Sequence, residues 1–506
     1  MSKGSSMVRS ALLLTAANLA MRGVSMVFQI FLTGQVGAAG IGLLQLIMTV
    51  HAFAITVGTS GIRVAAMYLS AQEYGLRRFG GIRQAMVWCI GGGLLLSTLV
   101  GLGLTAFAET LAISWVKDLR AAASLRLLGL TLPLTCLSSI LAGYFTACNQ
   151  VFRLVAVEIG DRVLTVGLTV WLLQAGVPND LSHACVSIVG GGALASVVSV
   201  SVLLVLMLHN FRKYLPCGEK LSMGKRLVRL CVPVAFNDYL RSGLSTLEHF
   251  LIPHGLTRAA GNREAALQAY GTVHGMVFPI LMFPSTLLFA VSDLLVPALS
   301  RCQAERNRDR IRQLTGKTLQ SSLLYAATAA GLLYVLSEPL GLLFYDSLQA
   351  GRFLRIFAPM VPMLYLDCIT DGMHKGLGQQ LYCVRLNTVT ALLDVLLLFL
   401  LLPRWGIGGF VFSFTVTHGI NFYYSLRRLL QISGHTPSLR KYLLILLCVF
   451  GCAAFTARFV PTSAQWISLL LSGGVYLALL ALLFSLTGLL QRAPDPSAGF
   501  APKHSL

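Results

Sequence analysis

The sequence predicts an all-α polytopic membrane protein. Fourteen transmembrane helices are expected: twelve in two six-helix lobes related by a pseudo-twofold axis, and two more at the C-terminus. Three observations predict this. Of the 506 residues, 56% are hydrophobic and only 11% charged, with mean hydropathy +0.74, whereas soluble domains carry roughly 25% charged residues. Apolar runs of spanning length recur along the whole chain. Basic residues alternate in density between successive connections, as the positive-inside rule requires.

The first run, about 10–33, follows Lys3 and Arg9 and so imitates a signal peptide. It is too long for one and lacks a small-residue cleavage site, so it reads as a retained span. Further runs fall at about 41–66, 84–107, 127–148, 153–173 and 182–210. A second series lies at about 228–251, 272–298, 315–336, 354–374, 386–402 and 408–426, followed by 441–459 and 466–489. With the N-terminus in the cytoplasm, the cytoplasmic segments hold 26 of the 39 Lys and Arg residues and the opposite face nine. The other four, Arg22, Arg63, Arg162 and Arg241, lie within spans. A miscounted helix would invert the bias downstream, and no inversion occurs, so both termini are expected in the cytoplasm. Topology accounts for the net charge of +20, and nucleic acid is not an expected partner. The densest clusters, Arg212 to Arg229 and Arg301 to Lys317, hold six basic residues each and could also touch anionic headgroups of membrane lipids.

The first twelve spans echo themselves. Asn18, Arg22, Gln29, Phe31 and Leu32 are matched 219 residues later by Asn237, Arg241, Glu248, Phe250 and Leu251. Leu69-Ser70 precedes Ile82-Arg83-Gln84 much as Leu299-Ser300 precedes Ile311-Arg312-Gln313. Pro133, Gly143, Ala147 and Gln150 recur 229 residues on as Pro362, Gly372, Gly376 and Gln379. The expected organisation is an N-terminal lobe at 1–211, a basic cytoplasmic linker at 212–226 and a C-terminal lobe at 227–430. Helices thirteen and fourteen occupy 431–490, and a cytoplasmic tail 491–506. Both lobes start from the same side, so they are parallel repeats about an axis along the membrane normal, the arrangement that encloses a transporter cavity.

No catalytic constellation is present, so an enzyme is not expected. The Gly190–Gly192 triplet lacks a P-loop lysine and reads as close helix packing. The 11 cysteines form no CxxC pair or Cys/His cluster, and Cys448 and Cys452 read as small buried hydrophobes.

Three segments carry a family resemblance. GMVFPILMFPS (Gly275 to Ser285) with LLVPALS (Leu294 to Ser300), AGRFLRIFAPMVPMLYLDCITDGMHKGLGQQ (Ala350 to Gln380) and GYFTACNQ (Gly143 to Gln150) resemble the stage V sporulation protein B family. That family lies in the polysaccharide-transporter branch of the multidrug/oligosaccharidyl-lipid/polysaccharide exporter superfamily and is related to lipid II flippases. The resemblance implies a cell-membrane flippase for polyprenyl-linked saccharides, including peptidoglycan precursors, and a role in sporulation. It also places cavity arginines in helices one, two and eight. Arg22 falls at the first of these, and Arg63 is the helix-two counterpart. Gln29 stands where a second basic residue is usual. Helix eight has no arginine inside the membrane, and Arg241 in helix seven could supply that charge.

A polyprenyl diphosphate needs cationic donors in a sheltered cavity, and guanidinium suits bidentate phosphate recognition. The candidate substrate-binding residues are Arg22, Arg241 and Arg63 for the diphosphate, and Asn18, Gln29 and Asn237, with Ser242, for the sugars. Helices thirteen and fourteen could hold the tail or simply pack. Arg22 could instead form a structural ion pair, Asp238 can neutralise Arg241, and Arg63 can snorkel to water. Arg162, flanked by Glu158 and Asp161, reads as a local ion-pair network. His51 and His374 read as helix-interface hydrogen-bonders. Alternating access needs a driving force, and without ATPase machinery a coupling Na⁺ or proton is the candidate. Asp367 and Asp371, sharing a face at i,i+4, and Glu248 are its expected site, with Asp293 and Asp394 as further membrane acids. No cofactor or resident metal is expected, and cell-wall synthesis proteins are candidate partners. Two other functions fit the same residues: a cation-coupled multidrug or metabolite exporter, and a non-transporting scaffold for wall synthesis.

Overall fold

The computed structural model describes residues 2–59, 61–76, 78–175, 180–212, 223–459 and 466–487, with backbone alone for 2–18. Most of the expected linker at 212–226 and all of the tail at 491–506 lie outside the described residues. All regular structure among those described is helical. Among the described residues, eight helices are long and apolar enough to cross a membrane, or nine if Arg308–Val335 and Ser337–Tyr345, bent by 66°, form one span. Four further expected spans are present as the helices Val151–Ala175, Met223–Ala260, Ile407–Ser433 and Trp466–Thr487. The first three carry more polar side chains: Glu158, Asp161 and Arg162 in the first, Asn237, Arg241 and Glu248 in the second, Ser413, Thr417 and His418 in the third.

Backbone breakers reshape several expected spans. Ser2–Thr59 runs on except at Gly37 (φ 69°, ψ 177°), which separates the spans expected at 10–33 and 41–66. The second of these breaks again at Gly61, from which Ile62–Gly75 departs. The span expected at 272–298 is three pieces, a π-helical turn at Thr272–Val277, Phe278–Met282 and Ser285–Ala304, and the helix Arg263–Gly271 leads into them. Pro279 and Pro284 cannot donate to the helical ladder. The Pro284 carbonyl is satisfied from outside the segment, by Tyr325 Oη at 2.8 Å.

The helices form two compact units. One takes in residues up to Phe283 together with Val384–Asn421, and the other comprises Pro284–Cys383 and the chain from Phe422. In the first, Ala65, Ala66 and Leu69 pack on Ile82, Ala85 and Cys89 and on Ile140, Tyr144 and Phe145. Small residues let the backbones approach closely, the usual source of helix association in lipid. In the second, Ala326, Ala327, Tyr365 and Ile369 are buried, and Tyr476 Oη donates to the Thr328 carbonyl at 3.2 Å.

The repeat is visible within each unit at matching positions. Asn149 (φ 56°) ends the Ala122–Ala147 helix, and Gln150 N donates to Phe145 O at 2.9 Å. At the equivalent place Gly378 (φ 68°) ends Val361–Gly376, and Gln379 N donates to His374 O at 2.8 Å. Lys117 (φ 62°) and Asp346 (φ 48°) form another equivalent pair. After them Asp118 N donates to Ala112 O and Ser347 N to Gly341 O, at 2.9 and 3.1 Å. Both following residues cap a helical turn, Asp118 accepting from Arg120 N and Ser347 Oγ from Ala350 N. Burial alone would raise the Asp118 carboxyl, but hydrogen bonds and charge from Arg120 hold it below the usual carboxylate range. Gly143 sits under the Arg63 carbonyl, where a Cβ would lie at 2.8 Å, and its counterpart Gly372 sits against Ser292, where a Cβ would collide with the side-chain oxygen.

The left-handed turn gives a direct test. Gly378 has no atom closer than 3.9 Å to a built Cβ, so torsion alone disfavours a side chain there. Gly378→Ala is expected to destabilise by about 1 kcal/mol, read as a lower Tm of the purified protein. Asn149→Gly, which relieves the same strain, should leave Tm unchanged or raise it.

Candidate functional site

Helix Ser2–Thr59 is two-faced ahead of Gly37. Arg22, Ser25, Gln29 and Thr33 follow one another at spacings of three or four, so they share one face. Opposite them Ala20, Gly23, Val24, Val27, Phe28 and Phe31, with Val166 and Val170 of the neighbouring helix, line an apolar groove of about 600 Å³. Arg22 thus stands on the side away from the greasy groove, and its side chain is exposed. Gln29 is half-buried and donates from Nε2 to the Gly275 carbonyl at 3.1 Å, in the π-helical turn. Thr33 and Ser25 spend their hydroxyls on the helix itself, bonding Gln29 O and Met21 O. Asn18 is helical, and its side chain lies outside the described residues.

Three close approaches seat this element. A Cβ on Gly271 would collide with the Ala38 carbonyl, one on Gly42 with the Leu267 carbonyl, and one on Gly275 with Ile41. Ala38 and Gly42, and Gly271 and Gly275, are both spaced by four, so small residues on each strand of the crossing interlock.

Arg63 and Arg241 are exposed, and Asn237 is half-buried one turn before Arg241. Arg22, Arg63 and Arg241 all belong to the first compact unit, in which Met223–Ala260 packs against Ser2–Thr59.

A second polar group lies in the same unit, built largely from residues the sequence reading left aside. Asp394 is 7% exposed. Its Oδ1 accepts from Ser413 Oγ at 2.7 Å and Thr417 Oγ1 at 3.0 Å, two hydroxyls one turn apart on the facing helix. Glu248 lies within electrostatic reach of Asp394. Beside it, Tyr270 Oη is 3.0 Å from His249 Nδ1, and the His249 and His274 rings meet at 5.1 Å between centroids. A lone Asp in the run DVLLLFLLL, opposite two hydroxyls at i,i+4, was the available signal. The histidines were not recoverable, because nothing local in the sequence brings them together.

Asp367 and Asp371 are half-buried on Val361–Gly376, in the second unit. Asp371 is ion-paired with Lys375 at 2.9 Å, one turn on and equally half-exposed. His374 behaves as an interface hydrogen-bonder, its Nε2 2.9 Å from the Ser425 carbonyl. His51 is buried, and among the described residues its Nδ1 has no hydrogen-bond partner. Asp161, expected to pair with Arg162, accepts a hydrogen bond from Ser199 Oγ at 2.8 Å.

Known proteins share this architecture. The stage V sporulation protein B of Bacillus subtilis (strain 168) is 21% identical over 411 residues, 79% of each chain. Among solved structures, the lipid II flippase MurJ in an inward closed conformation superposes with TM-score 0.71 at 13% identity, covering 94% of this chain and 99% of that one. An inward-facing multidrug resistance transporter of the MATE family superposes with TM-score 0.65 at 13% identity, covering 83% and 96%. Residues 264–400 match the MatE family model. The model of the polysaccharide biosynthesis protein family matches residues 7–303. With more than half its length matched and the fold of membrane transporters around it, this multi-pass membrane chain belongs to the polysaccharide biosynthesis protein family.

Proposed function

We propose that the protein is a flippase that moves a polyprenyl-diphosphate-linked saccharide, a peptidoglycan or polysaccharide precursor, across the cytoplasmic membrane by alternating access. The chain then crosses the membrane fourteen times with both termini in the cytoplasm, and wall-synthesis proteins are its natural partners. One observation carries the reading: Arg22 lies on a polar helix face, backed by an apolar groove, in a chain whose fold matches that of a lipid II flippase. In this mechanism Arg22 meets the diphosphate, assisted by Arg241 and Arg63, while Asn18, Gln29 and Asn237 meet the sugars. Guanidinium forks grip phosphate oxygens without covalent chemistry, so substrate can leave unchanged in the other leaflet.

Coupling is assigned to Glu248 and Asp394 ahead of Asp367 and Asp371. The Lys375 ammonium already answers Asp371. Around Asp394, by contrast, each hydroxyl that donates to the carboxylate keeps oxygen lone pairs for a Na⁺ ion or for a proton carried as water.

The test is reconstitution in liposomes with a defined polyprenyl-diphosphate saccharide, following its appearance in the far leaflet with and without a Na⁺ or proton gradient. Wild type should respond to one of the gradients. Asp394→Ala should keep basal exchange and lose that response. A gradient response that survives Asp394→Ala but not Asp371→Ala would return the ion to the original site.

The resemblance to a multidrug transporter and the acidic cluster support a second reading, a cation-coupled exporter. It requires drug efflux in a pump-deficient host and no movement of the lipid-linked saccharide.

A further inference from the structure

The basic cluster from Arg301 to Lys317 is not a uniform charged rim. A cavity of about 430 Å³ separates the end of Ser285–Ala304 from the start of Arg308–Val335, two helices joined by a tight turn. Ala298, Arg301, Cys302 and Glu305 line one wall, and Arg310, Gln313, Leu314 and Lys317 the other. Each set runs i, i+3, i+4, i+7, so each is one helical face, and the two faces look at one another across the space. Asn307 fixes the turn by accepting from Arg310 N at 3.0 Å. Three cations therefore converge on the cavity against one carboxylate. Among the described residues none of the three has a carboxylate within ion-pair distance. Arg306 and Arg308 stay outside the lining, and Arg312 faces elsewhere, reaching Thr436 Oγ1 at 3.5 Å. Topology alone asks only for positive charge near this helix end. It does not ask that half the cluster share a cavity.

We propose that this cavity is a binding site for a phosphate-bearing anion, distinct from the transport site and independent of the substrate assigned above. Two guanidinium groups and an ammonium match phosphate oxygens in number and charge. Ala298, Cys302 and Leu314 give the same lining an apolar part, which suits an anionic phospholipid, whose phosphate meets the cations and whose glycerol end meets the apolar side chains.

The experiment uses the full-length protein in mixed micelles of phosphatidylglycerol and phosphatidylcholine, counting retained lipid by native mass spectrometry. Wild type should retain phosphatidylglycerol selectively. Arg310→Gln should weaken retention about fivefold, and Arg301→Gln with Lys317→Gln about thirtyfold, from the usual contribution of each cation. Arg306→Gln with Arg308→Gln should change nothing. In phosphatidylcholine alone, a rise in Tm with inorganic phosphate that the Arg301/Lys317 pair abolishes would identify a soluble phosphate as the source. Equal losses from the pocket pair and the outside pair, or no dependence of either probe on the pocket residues, would overturn the site. Elution volume on gel filtration checks folding, and the single Arg310→Gln variant carries the test if the double one aggregates.

Discussion

Arg22→Ala is expected to cut translocation of the lipid-linked saccharide by the reconstituted protein roughly ten- to a hundredfold, the range of one charge-assisted contact. Yield, Tm and membrane insertion should hardly move, because Arg22 is exposed and the helix is seated further along, at Ala38 and Gly42. Arg22→Lys should recover part of the rate: it restores the charge without the planar fork. Val24→Ala, on the groove side of the same turn, provides the contrast, since it alters apolar area and leaves the polar face intact. Full transport by a well-folded Arg22→Ala protein would remove the residue from the diphosphate site. Equal losses in Arg22→Ala and Val24→Ala would mean that the helix, rather than its charge, is what matters.

Gly271→Leu is expected to have the largest structural effect, a fall in Tm or in recovered folded protein corresponding to 3 kcal/mol or about that. The clash is with the Ala38 carbonyl and the Gly42 backbone, neither of which can rotate out of the way. Even Gly271→Ala should be costly for the same reason. Gly23→Ala makes the control: no heavy atom lies within 4 Å of its built Cβ, so the extra methyl should be neutral or slightly stabilising. A Gly271→Leu protein as stable as wild type would show that the crossing of 38–42 with 267–275 is looser than described.

Hydropathy exposed the helical class because every backbone group in lipid must be paired within its own segment. Arg22, Gln29 and their face were readable because a helix repeats every few residues. The turn at Asn149 and Gly378 was half readable: Gln150 and Gln379 marked the position, although the left-handed residues themselves differ. What escaped was long-range geometry. Asp394 gains meaning only when Ser413 and Thr417 face it, whereas the Asp371–Lys375 pair, at i,i+4 on one helix, was there to be read. Breaks at Gly37, Gly61 and Pro284 were hard to place, because a hydropathy window averages over them.

The bend at Gly37 has a mechanical consequence. Beyond it, Ile41, Leu43, Leu46 and Ile47 are almost wholly buried, while before it the residues around Arg22 are largely open. Nothing crowds Gly37 itself, so the corner is held by torsion and not by neighbours. The chain therefore turns a corner at one uncrowded glycine, between a deeply packed half and a half that carries the guanidinium and is tied back at Gln29. The direction in which Arg22 is presented is set by the torsion of that single residue.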